Sequence, residues 1–270
     1  MNDITDAEFK RIRDYIKAHY GISMGDEKKS LIYSRLRASL VRGGFNNFTE
    51  YFDSLIADKS GTAIINFVDR VTTNHTFFMR ETDHFDYLRE TVLPYLEETY
   101  AGAKEICLWC AASSSGEEPY TLQMILHDYF EGKSWNTEIL ATDISSNVLN
   151  KAVHGVYPND RVATLPEGWH KKYFKKYDEN NSIVVDQIKR NITYRRFNLM
   201  ENSYDFKKKM HVIFARNVMI YFDNDTRDQV VQKFYNATSE GGYLFIGHSE
   251  SLTHTATKYK YIMPAVYRKL

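Results

Sequence analysis

The feature that most constrains the fold is a run of small residues that directly follows a short apolar segment. Residues 106–110 are apolar enough for a buried strand, and 111–116 are alanine, serine and glycine. Small side chains let the backbone approach a bound molecule closely. Pro119 suits the first turn of a helix, where its missing N–H costs nothing. The pattern therefore predicts a strand, a ligand-binding turn and a helix.

Two acids in this turn restrict the kind of ligand that it can hold. Glu117 and Glu118 would repel a pyrophosphate, whereas a phosphate-binding loop offers bare N–H groups or a lysine. A carboxylate suits a ligand with hydroxyl or amino groups and without phosphate. No G-x-G-x-x-G follows the strand, so a dinucleotide is disfavoured. The turn points to S-adenosylmethionine.

The chain length and charge exclude several classes of protein. With 270 residues the chain can bury one core, or one core and a small second domain. Its 35 basic residues balance 35 acidic ones, so no overall field favours nucleic acid or an anionic membrane. We find no apolar run of about 18 residues and no signal peptide, so we expect a cytoplasmic protein without membrane insertion.

The two cysteines form a C-x-x-C pattern, which elsewhere is a redox pair or half of a zinc site. Cys107 and Cys110 lie inside the predicted strand, where an odd spacing sends the side chains to opposite faces. No second cysteine pair and no H-E-x-x-H pattern is present. We interpret both cysteines as core thiols and predict no metal site.

The first ~75 residues (1–75) are predicted to form a small helical bundle. A capping-box pattern, from Thr5 to Glu8, precedes the first helix. Apolar residues then recur at helical spacing in four segments, each with one apolar stripe. These stripes are Phe9, Ile12, Ile16 and Tyr20; Ile32, Leu36 and Leu40; Phe48, Tyr51, Phe52 and Leu55; and Ile64, Phe67, Val68 and Val71.

Residues 76–270 are predicted to form a second, α/β domain. A connecting helix over 82–100 leads into alternating strands and helices, which implies a parallel sheet with crossover helices. The predicted helices lie near 118–130, 146–153 and 224–238. Residues 265–268 are predicted to return as an antiparallel edge strand. The predicted parallel strands are 105–110, 137–142, 192–197, 211–215 and 243–247.

About 38 residues separate the helix at 146–153 from the strand at 192–197, more than the alternation needs. A connection this long is unusual unless it folds or functions. We interpret it as an inserted small β-subdomain at about 155–191, suited to docking. The alternative is that these residues form a long loop rather than a folded subdomain.

Three further motifs carry polar groups at positions where a ligand would lie. Asp143 ends the second strand, where it could accept hydrogen bonds from ribose hydroxyls or could cap the helix beginning near Ser146. Segment 72–81 combines threonines, an asparagine, aromatic residues and an arginine at the domain junction. Segment 214–222 places Arg216 and Asn217 at the end of the fourth strand.

Together these segments resemble the chemotaxis receptor methyltransferases, the CheR family. The resemblance includes T-x-N-x-T at 72–76 with Arg80 and Glu81, S-G-E-E-P-Y at 115–120, A-T-D-I at 141–144, A-R-N-V-M-I-Y-F at 215–222 and G-H-S-E at 247–250. It implies a Rossmann-like class I S-adenosylmethionine-dependent methyltransferase sheet, an N-terminal all-α domain and an inserted small antiparallel β-subdomain. Ser115 and Met79 depart from the usual threonine and aromatic residue of that family.

The resemblance implies transfer of a methyl group from S-adenosylmethionine to a receptor glutamate, giving a γ-methyl ester and S-adenosylhomocysteine. A free glutamate is already ionised at neutral pH, so no general base is required. We assign catalytic positioning roles to Arg80 and Tyr221. The implied cofactor contacts are Asn74, Thr76, Arg80, Glu117, Asp143, Asn198, Leu199, Arg216 and Asn217.

A basic segment is the candidate surface for an acidic receptor region. Between 28 and 42 there are five basic residues and no acid, which also describes an ordinary solvated helix face. The five are Lys28, Lys29, Arg35, Arg37 and Arg42. Electrostatic steering by such a surface raises association rates. The expected partner is the cytoplasmic coiled-coil region of a methyl-accepting receptor. Whether a C-terminal tether peptide of the receptor is also needed stays open.

Two alternative functions remain at this stage. The chain could be a non-catalytic module that binds the cofactor and docks on receptors, although intact Arg80, Glu117, Asp143 and Tyr221 argue against it. It could also be a methyltransferase acting on a small molecule or a nucleic acid base. Balanced net charge disfavours nucleic acid.

Overall fold

The structure, a computed structural model, describes residues 3–253 and 257–270. Three clusters of buried apolar residues organise it. One lies inside a helical bundle, and the other two cover the opposite faces of a large sheet. Among the described residues, no helix has the length and apolar character needed to cross a membrane.

The N-terminal helical bundle consists of α1 (Asp6–Tyr20), α2 (Lys29–Arg42), α3 (Phe48–Ala57) and α4 (Thr62–Val71). The predicted capping box is present at the start of α1. The predicted apolar stripes form the bundle core, with Phe9, Ile32, Phe52 and Phe67 all nearly inaccessible to solvent. Short helices of this length depend on such packing for their stability.

The main sheet has seven strands in the order β6-β2-β1-β7-β8-β10-β9. The first five of these are parallel to one another, as predicted. Strand β10 is antiparallel to β8, which confirms the predicted antiparallel return. The prediction that it forms the edge was wrong, because β9 pairs with its other side and is the edge strand. The strand bounds are β1 Glu105–Cys110, β2 Asn136–Asp143, β6 Ile192–Arg196, β7 Met210–Ala215, β8 Thr238–Ile246, β9 Lys260–Met263 and β10 Val266–Arg268.

Helices cover both faces of this sheet. The connecting segment over 82–99 consists of α5 (Thr82–Tyr87), a π-helical turn at Leu88–Val92 and α6 (Leu93–Thr99). The crossover helices are α7 (Glu117–Tyr129), α8 (Ser146–His154) and α12 (Asn224–Ala237). The π turn inside the predicted connecting helix has no evident signal in the sequence.

The predicted inserted subdomain is a three-stranded antiparallel sheet in the order β3-β5-β4. Its strands are β3 Val156–Pro158, β4 Phe174–Lys176 and β5 Asn181–Val184. Three helices of four or five residues accompany them: α9 Asn159–Val162, α10 Trp169–Tyr173 and α11 Asp186–Lys189. These helices were not predicted, because single turns carry too few residues to show a period.

Two sheet features differ from the sequence-based expectation, and one agrees. Strand β8 begins at Thr238, whereas the prediction began at 243, because Gly241 and Gly242 interrupt the apolar pattern. Strand β9 was missed. Cys107 and Cys110 pack into the clusters on opposite faces of the sheet, as their spacing predicted.

The helical bundle contacts the carboxyl-end loops of the sheet. The segment after α1 forms an isolated β-bridge between Ile22 and Phe222, and the N–H of Ser23 donates to the carbonyl of Tyr221 (2.7 Å). Lys17 pairs with Asp223 at 2.8 Å. The bundle is thereby fixed over the edge of the sheet where β1, β2 and β7 end.

Candidate functional site

A cleft lies between the helical bundle and the carboxyl ends of β1, β2 and β7. These strands surround the point at which the strand order reverses, the usual ligand position in open parallel sheets. Residues from α1, α2, the 72–77 linker and the strand ends line it. The predicted site residues that line the cleft are Lys28, Asn74, Thr76, Arg80, Asp143, Asn198, Leu199, Arg216, Asn217 and Tyr221.

In the turn after β1, the backbone at Gly116 packs closely against α8 and the inserted subdomain. Gly116 has a φ of +98°, and a Cβ there would lie 2.8 Å from both the Ala152 Cβ and the Tyr157 hydroxyl oxygen. That hydroxyl donates to the carbonyl of Ser115 at 2.6 Å. Only glycine fits this position, since a side chain would separate the turn from the inserted subdomain.

Asp143 lies on the inner wall of the cleft with 7 % of its surface exposed. Its carboxylate accepts hydrogen bonds from the N–H groups of Ser114 and Ser145, each at 2.9 Å. Burial raises the pKa of Asp143, and these backbone hydrogen bonds oppose the rise. The cap of α8 is Ser145, whose Oγ accepts from Val148, so the alternative role of Asp143 as the helix cap does not apply.

The two glutamates of the turn have different positions. Glu117 does not line the cleft: it is fully buried, and its carboxylate accepts from Ser115 (2.7 Å) and pairs with Arg161 (3.1 Å). Glu118 lines the cleft instead. Successive side chains of a helix point about 100° apart, so only one of the two can face the ligand. The sequence analysis assigned Glu117 to the cofactor, whereas the geometry favours Glu118 as the residue that contacts it.

Arg216 links two acids at the floor of the cleft. Its guanidinium lies 3.1 Å from Glu81 and 3.0 Å from Glu118, with the ring of Phe85 beneath it at 5.2 Å. It also donates to the carbonyl of Arg80. Because only 1 % of the Arg216 side chain is exposed, these contacts are shielded from water and held in one geometry.

The same arrangement shifts the pKa values of the two acids in opposite directions. Burial raises the pKa of Glu118, and the Arg216 charge offsets part of that rise. Burial also acts on Glu81, but the charge of Arg216 and the amide of Asn217 together hold the pKa of Glu81 below its usual value. Glu81 is therefore the firmly ionised partner of the pair.

Glu250 fixes the loop that follows β7. Its carboxylate accepts from the N–H groups of Gly247, Asn217 (2.9 Å), Met219 (2.7 Å) and Ile220 (3.1 Å). Asn217 has a φ of +58°, a left-handed conformation that asparagine tolerates better than most residues, and these hydrogen bonds hold the loop in it. Glu250 was noted only as part of the G-H-S-E segment, because its partners lie about 30 residues earlier in the chain.

Arg80 and Tyr221 lie on the wall of the cleft. The Arg80 guanidinium donates to the carbonyl of His75 at 3.1 Å and lies 5.8 Å from the ring centre of Phe77. Its side chain is 28 % exposed, so it remains accessible to a ligand. Tyr221 ends a short 3-10 turn, Met219–Tyr221, and its half-buried ring borders the cleft.

The remaining predicted cofactor residues contribute to the walls through different atoms. The carbonyl of Asn74 accepts from the hydroxyl of Ser114 at 2.9 Å, which ties the linker to the turn after β1. The amide of Asn198 donates to the carbonyl of His19 (2.8 Å) and accepts from the N–H of Met200 (3.0 Å). Leu199 is 7 % exposed and forms an apolar wall.

The five basic residues of 28–42 do not form one surface. Arg35 donates to the carbonyls of Val71 (2.7 Å) and Thr72 (3.0 Å), so it holds the linker. Lys29 pairs with Asp6 at 2.5 Å. Lys28, Arg37 and Arg42 are exposed and make no ion pair with an acid in the part of the chain that the structure describes.

Helical geometry places the exposed residues Lys28 and Arg42 on a different side of α2 from Arg37. Lys28 directly precedes α2, and Lys28, Arg35 and Arg42 are seven residues apart, about two turns, so they lie near one face of this helix. Arg37 lies about 200° around the helix from Arg35. Lys28 and Leu31 line the cleft, which places the face of Lys28 and Arg42 on the cleft side and Arg37 away from it.

The donor set of the cleft fits S-adenosylmethionine. Asp143 and Glu118 supply carboxylates that can accept hydrogen bonds from hydroxyl and ammonium groups of a ligand. A carboxylate can accept about four hydrogen bonds. Asp143 and Glu118 each accept two from the protein itself, so each has lone pairs left for a ligand. Apolar walls from Ile144, Phe197 and Leu199 suit an adenine ring.

Comparison with known proteins agrees with this geometry. Residues 74–267 match the family model of the CheR methyltransferase SAM binding domain, and residues 7–72 match that of the CheR methyltransferase all-alpha domain. The chain is 41% identical to the chemotaxis protein methyltransferase of Borreliella burgdorferi, over 99% of this chain and 95% of that protein. It is 35% identical to the probable chemotaxis protein methyltransferase of Rhizobium etli, over 92% and 97% respectively. The chain therefore belongs to the CheR methyltransferase family, and its cofactor is S-adenosylmethionine.

Proposed function

We propose that the protein methylates glutamate side chains of chemotaxis receptors, forming γ-methyl esters. The observation that carries the proposal is the cleft itself: Glu118, Asp143 and Arg216 meet at the strand ends, and Arg80 and Tyr221 border the same space. The two relatives named above are a chemotaxis protein methyltransferase and a probable one, which supports a receptor as the acceptor.

Within this cleft we assign cofactor contacts to both domains. Asp143 would accept from the ribose hydroxyls, and Glu118, rather than Glu117, would hold the ammonium group. Leu199 and Asn198 would flank the adenine, while the linker residues Asn74 and Thr76 would close the opposite side. Arg216 and Asn217 act through the buried network that fixes Glu118 and the loop after β7.

The chemistry requires alignment rather than proton transfer. When bound, S-adenosylmethionine supplies an electrophilic methyl group on a sulfonium. The acceptor glutamate is ionised at neutral pH, so the protein needs to orient the carboxylate and remove part of its water. Arg80 would steer the acceptor carboxylate or the methionine end of the cofactor. Tyr221 would orient the attacking oxygen by a hydrogen bond.

The acceptor surface that we propose is the cleft-side face of α2. Lys28 and Arg42 extend from the cleft along this face, and an acidic receptor helix would be attracted to it. The proposed partner is the cytoplasmic coiled-coil region of a receptor, so the reaction would take place in the cytoplasm. Strands β3 and β4 are the edges of the inserted sheet, and such an edge can add an extended tether peptide as a further strand.

We also propose that the chain divides into a helical domain at 1–75 and a methyltransferase domain at 76–270, with the insertion at about 155–191. The helical elements end at Val71 and the first residue of α5 is Thr82. The boundary segment lines the cleft, so both domains would be required for activity.

The proposal is tested with methyl-labelled S-adenosylmethionine and a receptor cytoplasmic fragment. We expect label on the receptor that is released as methanol by mild base, since carboxyl esters are base-labile and N-methyl products are not. A receptor fragment with alanine at the acceptor glutamates is the matched control. A folded protein that binds cofactor and receptor but leaves the receptor unlabelled would support the non-catalytic docking module instead.

A further inference from the structure

Two histidines and a glutamate meet beside the cleft at a place that the methyl-transfer chemistry does not use. One donor atom each from Glu81, His84 and His248 lies within 4.8 Å of the other two. Glu81 lies in the loop before α5, His84 lies in α5, and His248 follows β8. We expected no metal site from the sequence, which has no second cysteine pair and no H-E-x-x-H pattern. Glu81 and His248 are 167 residues apart, so no local motif joins them.

His84 is the unusual member of this group. Its side chain is fully buried, yet neither ring nitrogen has a hydrogen-bond partner within the described residues. Its Nδ1 lies 3.6 Å from Oε2 of Glu81, too far for a normal hydrogen bond. A buried polar group without a partner destabilises the folded state, so its retention calls for an explanation.

His248 is held in place by a carboxylate. Its Nε2 lies 3.0 Å from Oδ2 of Asp83, and its ring meets that of His84 edge to face with centroids 4.7 Å apart. A hydrogen bond to Asp83 favours the tautomer with its lone pair at Nδ1. Carboxylates commonly orient metal-bound histidines in this way.

We propose that Glu81, His84 and His248 form a binding site for a borderline divalent transition metal such as Zn²⁺ or Co²⁺. Two imidazoles and one carboxylate are the ligand types that these ions prefer, whereas Mg²⁺ and Ca²⁺ prefer oxygen ligands. Zinc holds such ligands at about 2.0–2.2 Å in a tetrahedral arrangement, so ligand atoms on one ion lie about 3.3–3.6 Å apart. The widest-spaced atoms of the cluster would therefore approach one another by up to about 1.5 Å on metal binding.

Metal binding here would act on the neighbouring cofactor cleft. Glu81 pairs with Arg216, and Arg216 in turn holds Glu118 at the cleft. An ion that draws the Glu81 carboxylate toward the histidines weakens this chain of contacts. The metal and the cofactor then oppose each other's binding, because linkage between two sites is reciprocal.

The test is a titration of the metal-free, full-length protein with Co²⁺, followed by visible absorption spectroscopy. We expect one equivalent of Co²⁺ to give d–d bands of nitrogen and oxygen coordination, and one equivalent of Zn²⁺ to remove them. The readout does not depend on methyl transfer, so failure of the proposed methyltransferase reaction and failure of this site are distinguishable. A featureless titration of the wild-type protein would overturn the proposal.

Three variants locate the ion. His248→Ala removes an accessible ring, 43 % exposed, and should weaken Co²⁺ affinity at least tenfold. His154→Ala is the matched control, an exposed histidine on α8 outside the cluster. His84→Phe should also abolish the bands, with its fold checked by thermal unfolding. Equal Co²⁺ affinity of the His248→Ala and His154→Ala variants would contradict the site even if His84→Phe fails to fold.

Discussion

At the residue scale, backbone strain is concentrated around the cleft. Met79, Glu81, Ser114 and Asn217 are non-glycine residues with φ between +47° and +58°. All four lie in the loops that border the site, and each such conformation costs about 1–3 kcal/mol. No sequence pattern marked them, because asparagine is the only one of the four that tolerates this conformation readily. The buried contacts of Arg216 and Glu250 hold these loops in place.

The assignment of Glu118 to the cofactor yields a direct prediction. Glu118→Gln should weaken the affinity for S-adenosylhomocysteine about 10- to 100-fold, since hydrogen bonds to charged groups contribute about 1.5–3 kcal/mol. Glu117→Gln is the matched control and should change this affinity by about threefold at most, about 0.6 kcal/mol. Calorimetric titration measures both. A larger loss of affinity in Glu117→Gln than in Glu118→Gln would instead assign the cofactor contact to Glu117.

Tyr221 is predicted to act on turnover and not on cofactor affinity. Tyr221→Phe removes one hydrogen bond to the acceptor and should lower kcat about 3- to 10-fold, at unchanged affinity for the cofactor. Tyr33→Phe, on α2 outside the cleft, should behave as wild type. Initial rates of receptor methylation measure the effect, and an unchanged kcat removes Tyr221 from the mechanism.

At the element scale, strong periodicity and caps were predictable, and long-range contacts were not. The four apolar stripes and the capping box gave the helical bundle correctly because they depend on neighbours in the chain. The π turn at Leu88–Val92 and strand β9 lack such local signals. The choice between Glu117 and Glu118 depends on the exact rotation of α7, which no turn motif specifies. The partners of Arg35 became visible only once α4 was packed against α2.

The two faces of α2 are predicted to differ in their effect on receptor methylation. Reversing Lys28 and Arg42 to glutamate should lower kcat/KM several-fold, about tenfold at low salt, because an acidic acceptor would be repelled. Arg37→Glu makes a charge reversal on the other side of the helix and should have a much smaller effect. Measuring kcat/KM for receptor methylation at low and at high salt tests this prediction. An equal loss for Arg37→Glu, or a loss independent of salt, would contradict the acceptor face.

At the scale of the whole molecule, the cleft is built from parts that are distant in the chain. Tyr20 and Met24 come from the helical bundle, Asn74 from the linker and Asp143 from the sheet. A ligand that contacts all of them binds only the folded arrangement. The resemblance to a known family identified this assembly from short motifs, whereas the physical joint at Ile22 and Phe222 follows only from the structure.

Ligand binding should therefore stabilise the protein as a unit. At 100 times its dissociation constant, S-adenosylhomocysteine should add about 2.7 kcal/mol to the free energy of unfolding. For a chain of this size that corresponds to a rise in Tm of roughly 5–10 °C. The same concentration of NAD⁺ should leave Tm unchanged, since its pyrophosphate would meet the acids of the cleft. Differential scanning calorimetry distinguishes the two outcomes, and a rise with NAD⁺ would contradict the proposed selectivity.

The central claim is that the cleft between the helical bundle and the sheet holds the methyl donor through Asp143. The most direct test is a calorimetric titration of S-adenosylhomocysteine into the wild-type protein, Asp143→Asn and the exposed control Asp160→Asn. We predict one site in the wild type and the control, and affinity at least tenfold weaker in Asp143→Asn. A folded wild-type protein that gives no binding heat, or an Asp143→Asn variant that binds as tightly as the control, would contradict the claim.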